Sequence, residues 1–339
     1  MRLSIEVEVR RGPIVECRHR VQAAVRGANG DRHAETSDAA LVTTFRSAAK
    51  PFQLLPLVER GHADRWGFSE EELAVMAASH TGSTYHLGLV RGILARAGLE
   101  ERHLACGYHD PIDAEQFAHL QRHPEERSPL HNNCSGKHAG MLCLARSEGW
   151  PLEGYHRPEH PLQQLMLRTV AECCGVAPET VQTGIDGCSV VVFAVPLPAM
   201  AVGYARLAAA SPSGAARDSA LARIRGAMQA FPQATGGSAR FSTALMEAAG
   251  GRLVAKGGAE GLECIGVPGR DLGIAVKCED GATRAVAPAV IALLEALELV
   301  PAAVTGALES WRRSVIHNAA GLEVGHLETA LRVSATVVG

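Results

Sequence analysis

Apolar and charged positions alternate from Leu3 to Val9, reading Leu-Ser-Ile-Glu-Val-Glu-Val. That two-residue period is the mark of a strand with one buried face. The pattern continues from Pro13 to Val25, and Gly27-Ala28-Asn29-Gly30-Asp31 follows it as a turn signal. From about residue 47 the period lengthens to that of a helix. Ser69 with Glu72 forms a capping box, flanked by Phe68 and Leu73 as a hydrophobic staple, and Asp113 with Gln116 repeats the capping logic. Pro161 to Cys174 predicts a helix with Leu162, Leu165, Met166 and Thr169 on one face and Gly175 as its stop. Ala199 to Ala210 and Ser219 to Ala230 read as helices too. Short β runs return at Arg252–Lys256, Leu262–Val267 and Leu272–Cys278. Pro268-Gly269-Arg270-Asp271 is the turn between the last two, and a helix over Pro288–Leu299 follows.

Strands at both ends with helices between them predict an α+β fold. The simplest arrangement is one catalytic domain with an antiparallel sheet built from both chain ends and an inserted helical lobe. The sheet lobe would take about residues 1–60 and 235–339, and the helical lobe about 61–234.

Composition narrows the function classes. Hydrophobic residues are 47% of the chain but aromatics only 4%, so the core must be built from Ala, Val and Leu. A net charge of −3 without a basic block argues against a nucleic-acid partner. The N-terminus alternates and carries charges, unlike a signal peptide. No apolar run reaches spanning length, and Val190–Met200 is short and broken by Pro196 and Pro198, so it reads as buried core. A cytoplasmic protein without a membrane partner is the expectation. Nine cysteines are then expected as reduced thiols, mostly buried, with Cys173-Cys174 in an apolar helical pattern.

Three segments carry candidate chemistry. Ser47-Ala48-Ala49-Lys50 opens a helix and places a hydroxyl and an amine on one face. Serine is a weak nucleophile that needs a base, and a desolvated lysine can be that base. Ser79-His80-Thr81-Gly82 comes next, and Lys256-Gly257-Gly258 lies much later on an expected strand. Penicillin-recognising enzymes show that order, S-x-x-K, then a serine loop, then a strand lysine beside glycine. The second segment, Asn132-Asn133-Cys134-Ser135-Gly136-Lys137-His138, concentrates reactive side chains at the entry to a helix. In the third, Gly184-Ile185-Asp186-Gly187-Cys188-Ser189, two glycines frame an acid and a thiol. Cys134 and Cys188 are candidate zinc ligands, although their spacing is not that of a zinc motif. A nucleophilic Cys134 assisted by His138, and plain buried thiols, are the competing readings.

Arg46 through Gln53 (RSAAKPFQ), His131 through Gly140 (HNNCSGKHAG), Gly184 through Cys188 (GIDGC) and Ala255 through Gly261 (AKGGAEG) resemble the L-asparaginase II family of the Rhizobium type. Gly273 through Lys277, with Asp280-Gly281 and Arg284, is similar too, so the likeness covers nearly the whole chain. The resemblance implies a serine β-lactamase/glutaminase-like fold, a homodimer, and hydrolysis of L-asparagine to L-aspartate and ammonia. It implies two Ser–Lys tandems, Ser47 with Lys50 and Ser79 with Lys256. It also implies one Zn²⁺ held by Cys134, Cys188 and Lys137, with Asp186 beside the metal. After the Asp-Gly-Cys turn the family often has a proline, where this chain has Val190-Val191-Val192.

Within that scheme Lys50 takes the proton of Ser47, a positive Lys256 keeps Lys50 neutral by like-charge repulsion, and Ser79 relays a proton to the leaving ammonia. Arg46 is a candidate partner for the substrate α-carboxylate, because its planar fork pairs with carboxylates. His80, Asn133, His138 and Asp186 are candidate lining residues. A glutaminase is the nearest alternative, since one methylene separates the substrates and discriminates by only about 1–3 kcal/mol. A non-catalytic amino-acid or metal sensor is the alternative from another class, and the presence of both serines and both lysines argues against it.

Overall fold

The structure, a computed structural model, describes residues 1–238 and 240–334. Its strands are β1 Arg2–Arg11, β2 Ile14–Gly27, β3 Arg32–Thr36, β4 Val42–Thr44, β5 Gln182–Ile185, β6 Val191–Pro196, β7 Val254–Gly258, β8 Leu262–Val267, β9 Leu272–Cys278, β10 Val315–His317 and β11 Glu323–Ser334. The chain is mixed α+β and divides into two compact units.

The first unit comprises Met1–Ala48, Val195–Ala209 and Ala244–Gly339. Its eight-stranded sheet runs β10-β11-β1-β3-β2-β9-β8-β7, so the two chain ends do meet in one sheet. Pairing is antiparallel except for a short parallel β1–β3 contact at Arg2 and Leu3. The alternation in β1 sends Leu3, Ile5, Val7 and Val9 inward. β8 and β9 are buried at every position, as strands covered on both faces must be. The helices Leu197–Ala209 and Val286–Ala296 supply that cover. The first of them approaches the sheet backbone directly. A Cβ on Gly273 would lie 1.9 Å from Ala201 O, so only glycine fits there.

The second unit comprises Ala49–Ala194 and Ala210–Thr243. Its central helix, Lys50–Glu59, is buried from Lys50 to Val58 and packs against the helices Ser135–Ser147, Pro161–Cys174 and Ala216–Ala230. Ser69 and Glu72 form the expected capping box, and Gly175 ends the Pro161–Cys174 helix in the left-handed region. A Cβ on Gly136 would lie 2.2 Å from Val75 O, so the helix that follows Cys134 sits hard against the helix Glu70–Met76.

Some boundaries differ from those the sequence predicts. The last long helix runs Val286–Ala296 rather than 288–299, with Pro288 inside its first turn. The first four helical N–H groups have no intrahelical acceptor, so proline is tolerated there without marking the start. Strand β7 begins at Val254, after the Gly250-Gly251 turn, two residues later than expected. No helix among the described residues is long and apolar enough to cross a membrane.

Candidate active site

Ser47 sits in a one-turn 3-10 segment, Arg46–Ala49, that runs straight into the Lys50–Glu59 helix. Arg46 has φ 46°, a left-handed conformation that costs a non-glycine residue energy and recurs at functional sites. Tyr204 pins the turn: its hydroxyl donates to Ala48 O at 2.9 Å, and its ring meets Phe45 edge-on at 6.3 Å. Gly258, at the end of β7, lets the chain just before Ser47 approach, since a Cβ there would lie 3.2 Å from Phe45 O. Ser47 and Arg46 are half-buried. Lys256 is buried on β7, and its Nζ donates to Gly257 O at 2.9 Å.

Lys50 is buried, and its ammonium nitrogen donates to Ser79 Oγ at 2.8 Å and to Ala78 O at 2.5 Å. Ser79 follows the helix Glu70–Met76 and is fixed by its own N–H, which donates to Thr235 O at 3.1 Å. Burial pushes Lys50 below the usual lysine range; the Cys134 sulfur opposes that shift and the nearby Lys137 charge adds to it. Lys137 is thus a like charge acting on Lys50 within the second unit.

His80 is fully buried with both ring nitrogens engaged. Nε2 donates to Ser135 Oγ at 2.9 Å, since that hydroxyl already donates to Leu130 O, and Nδ1 accepts from Gly82 N at 3.2 Å. Burial and the neighbouring His86 hold His80 well below the usual histidine range, so it is neutral. The side chain therefore braces the Ser79 loop against the Cys134 segment. Asn133 is half-buried, with its N–H on His109 Nε2 and its carbonyl accepting from His80 N.

Cys134 immediately precedes the helix Ser135–Ser147, with its N–H held by Asn132 Oδ1 at 2.9 Å. The Asn132 amide in turn donates to Cys106 O. Lys137, one turn into the helix, donates to Cys188 Sγ at 3.0 Å. Cys188 is delivered by a hairpin: β5 pairs with β6 from Gln182↔Ala194 to Ile185↔Val191, and the intervening turn closes through Asp186 N–Val190 O and Ser189 N–Asp186 O. Ser189 adopts φ 73° to make that turn, and Val190 and Val191 anchor its exit in the core. Asp186 is half-buried beside it and adds negative charge near Lys137.

Cys134 is held well below the usual thiol range by the hydrogen bond from Cys188 and by the charges of Lys50 and Lys137, while Cys188 is pushed up by its hydrogen bond to Cys134 and by burial. Burial alone would lower Lys137, but the two sulfurs outweigh it and raise the ammonium. Two sulfurs and two amines thus occupy a common buried cluster.

That donor set fits a borderline-soft divalent ion. Thiolate sulfur and amine nitrogen are ligands that Zn²⁺ accepts, and loss of the protons on Cys188 and Lys137 would supply them. His138, on the same helix, points its Nδ1 at the Tyr155 hydroxyl at 2.5 Å, while its buried Nε2 has no hydrogen-bond partner among the described residues.

The second unit therefore joins Lys50, Ser79, Cys134, Lys137 and Cys188, with His80 and His138 as buried neighbours. Ser47, Arg46 and Lys256 belong to the first unit, where Gly258 brings the Ser47 segment to the end of β7. Sequence reasoning passed over Asn132, Ser135, Tyr155 and Tyr204, which hold the chemical groups in place. Asn132 and Ser135 lay in plain sight within HNNCSGKHAG, whereas nothing near Tyr155 or Tyr204 in the chain marks their partners.

Solved structures similar to the chain include Mglu in its glutamate form, at 20% identity and TM-score 0.36, covering 83% of this chain and 61% of that one. Mglu in its native form matches at 18% identity and TM-score 0.36, covering 82% and 64%. The chain thus spans less than two thirds of the length of those relatives. No curated protein matches it. The sequence profile of the L-asparaginase II family matches residues 7–329, nearly the full chain and all the residues of the site described above, and the chain belongs to that family.

Proposed function

We propose that the protein hydrolyses the side-chain amide of L-asparagine, giving L-aspartate and ammonia, on a serine β-lactamase-like fold. The observation that carries the reading is Lys50, a buried lysine shifted toward its neutral form and hydrogen-bonded to Ser79. A neutral amine there is a base in contact with a hydroxyl, the pairing that amide cleavage by serine needs. Membership of the L-asparaginase II family supports the choice of amide.

In this reading Ser47 attacks the amide carbonyl and Lys50, three residues on, takes its proton. Lys50 hands the proton to Ser79, which passes it to the departing ammonia. Water then cleaves the acyl-enzyme. Lys256 contributes positive charge and Arg46 binds the α-carboxylate. Cys134, Cys188 and Lys137 would hold Zn²⁺, which would supply a Lewis-acidic point for orienting the substrate. Asp186, Asn133 and His138 shape that end of the site.

The test is ammonia release from asparagine, glutamine and a β-lactam by the wild-type chain, Ser47→Ala and Lys256→Met. Asparagine is expected to be the preferred substrate, with turnover lost in Ser47→Ala and lowered in Lys256→Met without loss of fold. Near-wild-type turnover by a folded Ser47→Ala protein would move the nucleophile to Ser79 or Cys134. Preference for glutamine would replace asparagine as the substrate.

A further inference from the structure

The first unit holds a second cluster of reactive side chains, which the proposed hydrolysis does not use. Cys17 and His19 are two residues apart on β2 and so share a face of the sheet. Register places Val21 of β2 opposite Cys278 of β9, which brings the turn after Cys278 alongside His19. Four side chains then form a connected chain. His19 Nδ1 meets Asp280 Oδ2 at 2.6 Å, and its Nε2 lies 3.8 Å from Cys17 Sγ. Arg284 donates through Nε to His19 Nε2 at 3.0 Å and through a terminal nitrogen to Cys17 Sγ at 3.2 Å.

The contacts fix the proton positions. Because Nε2 accepts from Arg284, the ring proton sits on Nδ1 and is donated to Asp280. Asp280 is held well below the usual carboxylate range, first by the Cys278 thiol that donates to it and then by Ala282 N–H and His19, so it is an anion. A thiol, a base turned toward it and an acid that orients the base make up the constellation of an activated nucleophile. The guanidinium facing the sulfur adds the electropositive setting in which thiols react. Eight of the nine cysteines are buried, and Cys17 alone is half-exposed.

We propose that Cys17 is the reactive thiol of this chain, primed by His19, Asp280 and Arg284 for oxidation by small peroxides. A peroxide fits because Cys17 is half-exposed while His19 behind it is buried, so that only a small oxidant needs to reach the sulfur. Arg284 gives up its hydrogen bond to His19 Nε2, Cys17 passes its proton to the freed lone pair, and its sulfur attacks one peroxide oxygen. The S–O bond forms as the O–O bond breaks, and the departing alkoxide or hydroxide recovers the proton. Sulfur is oxidised by two electrons to the sulfenic acid and the peroxide is reduced to alcohol or water.

His19, Cys278 and Asp280 also lie close enough together to bind a cation. A metal on His19 Nδ1 would make Nε2 an N–H donor aimed at the Arg284 N–H, and it would sit beside that fixed positive charge. The observed contacts favour the relay.

The experiment treats the full chain with hydrogen peroxide in the presence of a cyclic 1,3-diketone that traps sulfenic acid, and maps the adducts by peptide mass spectrometry. Cys17 is expected to be trapped at least ten-fold faster than any other cysteine. Asp280→Asn and the milder, partly exposed Arg284→Gln are each expected to slow Cys17 about ten-fold, with unchanged thermal unfolding. Equal rates in wild type and both variants would reduce Cys17 to an ordinary exposed thiol and overturn the relay. Protection of Cys17 by added Zn²⁺ that disappears in Asp280→Asn would overturn it in favour of a metal site.

Discussion

Lys50 Nζ and Ser79 Oγ are 2.8 Å apart, although 29 residues separate them in the chain. The lysine is 1% exposed, and its nitrogen also donates to the carbonyl of Ala78, the residue just before the serine. Helix Lys50–Glu59 thus holds the loop after Glu70–Met76 by two hydrogen bonds from one nitrogen. A lysine so placed can both position the serine and exchange a proton with it.

Replacing that nitrogen should separate these two roles. Lys50→Met keeps the buried stem but removes the base and both hydrogen bonds. Turnover is expected to fall about 10²- to 10⁴-fold, the usual contribution of one general base. Lys50→Arg should fall as far while keeping donors, because a guanidinium stays protonated. Steady-state ammonia release with parallel circular dichroism distinguishes the cases. Residual activity within ten-fold of wild type in both variants would remove Lys50 from the proton path.

The sheet unit has its own sensitive point at Gly273. Its α-carbon faces the backbone of the helix Leu197–Ala209, where a methyl group would lie 1.9 Å from Ala201 O and 2.3 Å from Ala205 N. Backbone cannot swing aside as a side-chain tip can, so Gly273→Ala must shift the helix off β9. A loss of at least about 3 kcal/mol is expected, the upper range for overpacking. Urea unfolding of Gly273→Ala beside Gly269→Ala checks this, since Gly269 has open space around its Cβ position but a left-handed φ of 79°. The second variant reports backbone strain alone, and equal losses would mean the helix yields freely.

How much of this was legible beforehand follows from range in sequence. β8 and β9 fall at the expected residues because a Pro-Gly turn bounds both runs. The S-x-x-K step and the Asn132–His138 segment identified most of the reactive side chains, since each is local. The Lys50–Ser79 and Lys137–Cys188 contacts were not legible from spacing, because 29 and 51 residues separate the partners and only packing joins them. Strand β11 gave no clear signal: most of its residues are exposed or half-buried, so little apolar alternation is required of it. The Cys17–His19–Asp280 contacts stayed hidden for a related reason, since β2 and the turn after β9 come from opposite ends of the chain.

Acid stability should depend on Glu35. Burial would raise its carboxyl, but Arg26 and Arg32 outweigh burial and hold it below the usual carboxylate range. The folded state therefore binds a proton less readily than the unfolded one. This stabilisation is complete above the unfolded carboxylate value and is lost as pH falls through the lower, folded value. Glu35→Gln removes the charge at every pH. Its stability deficit, measured by urea unfolding, is expected to be largest at neutral pH and to shrink below about pH 4, near the unfolded glutamate pKa. A deficit that stayed constant with pH would mean Glu35 acts through packing rather than charge.

The metal prediction turns on which group the ion serves. About one Zn²⁺ per chain is expected, on Cys134, Cys188 and Lys137. In the structure those groups hold protons in common, with Lys137 donating to Cys188 and Cys188 to Cys134. Binding must displace those protons, so affinity should fall at acidic pH. Elemental analysis of protein purified at neutral pH without chelator, for wild type and Cys188→Ser, tests occupancy directly. Kinetics then assigns the role. With Lys50 as the proposed base for the serines, the ion is expected to position substrate, and Cys188→Ser should raise KM more than it lowers kcat. A collapse of kcat at constant KM would instead place the ion in the chemical step. Wild-type protein lacking zinc, with Cys134 and Cys188 alkylated only slowly, would make the pair buried core thiols and leave substrate orientation to the protein's own cations.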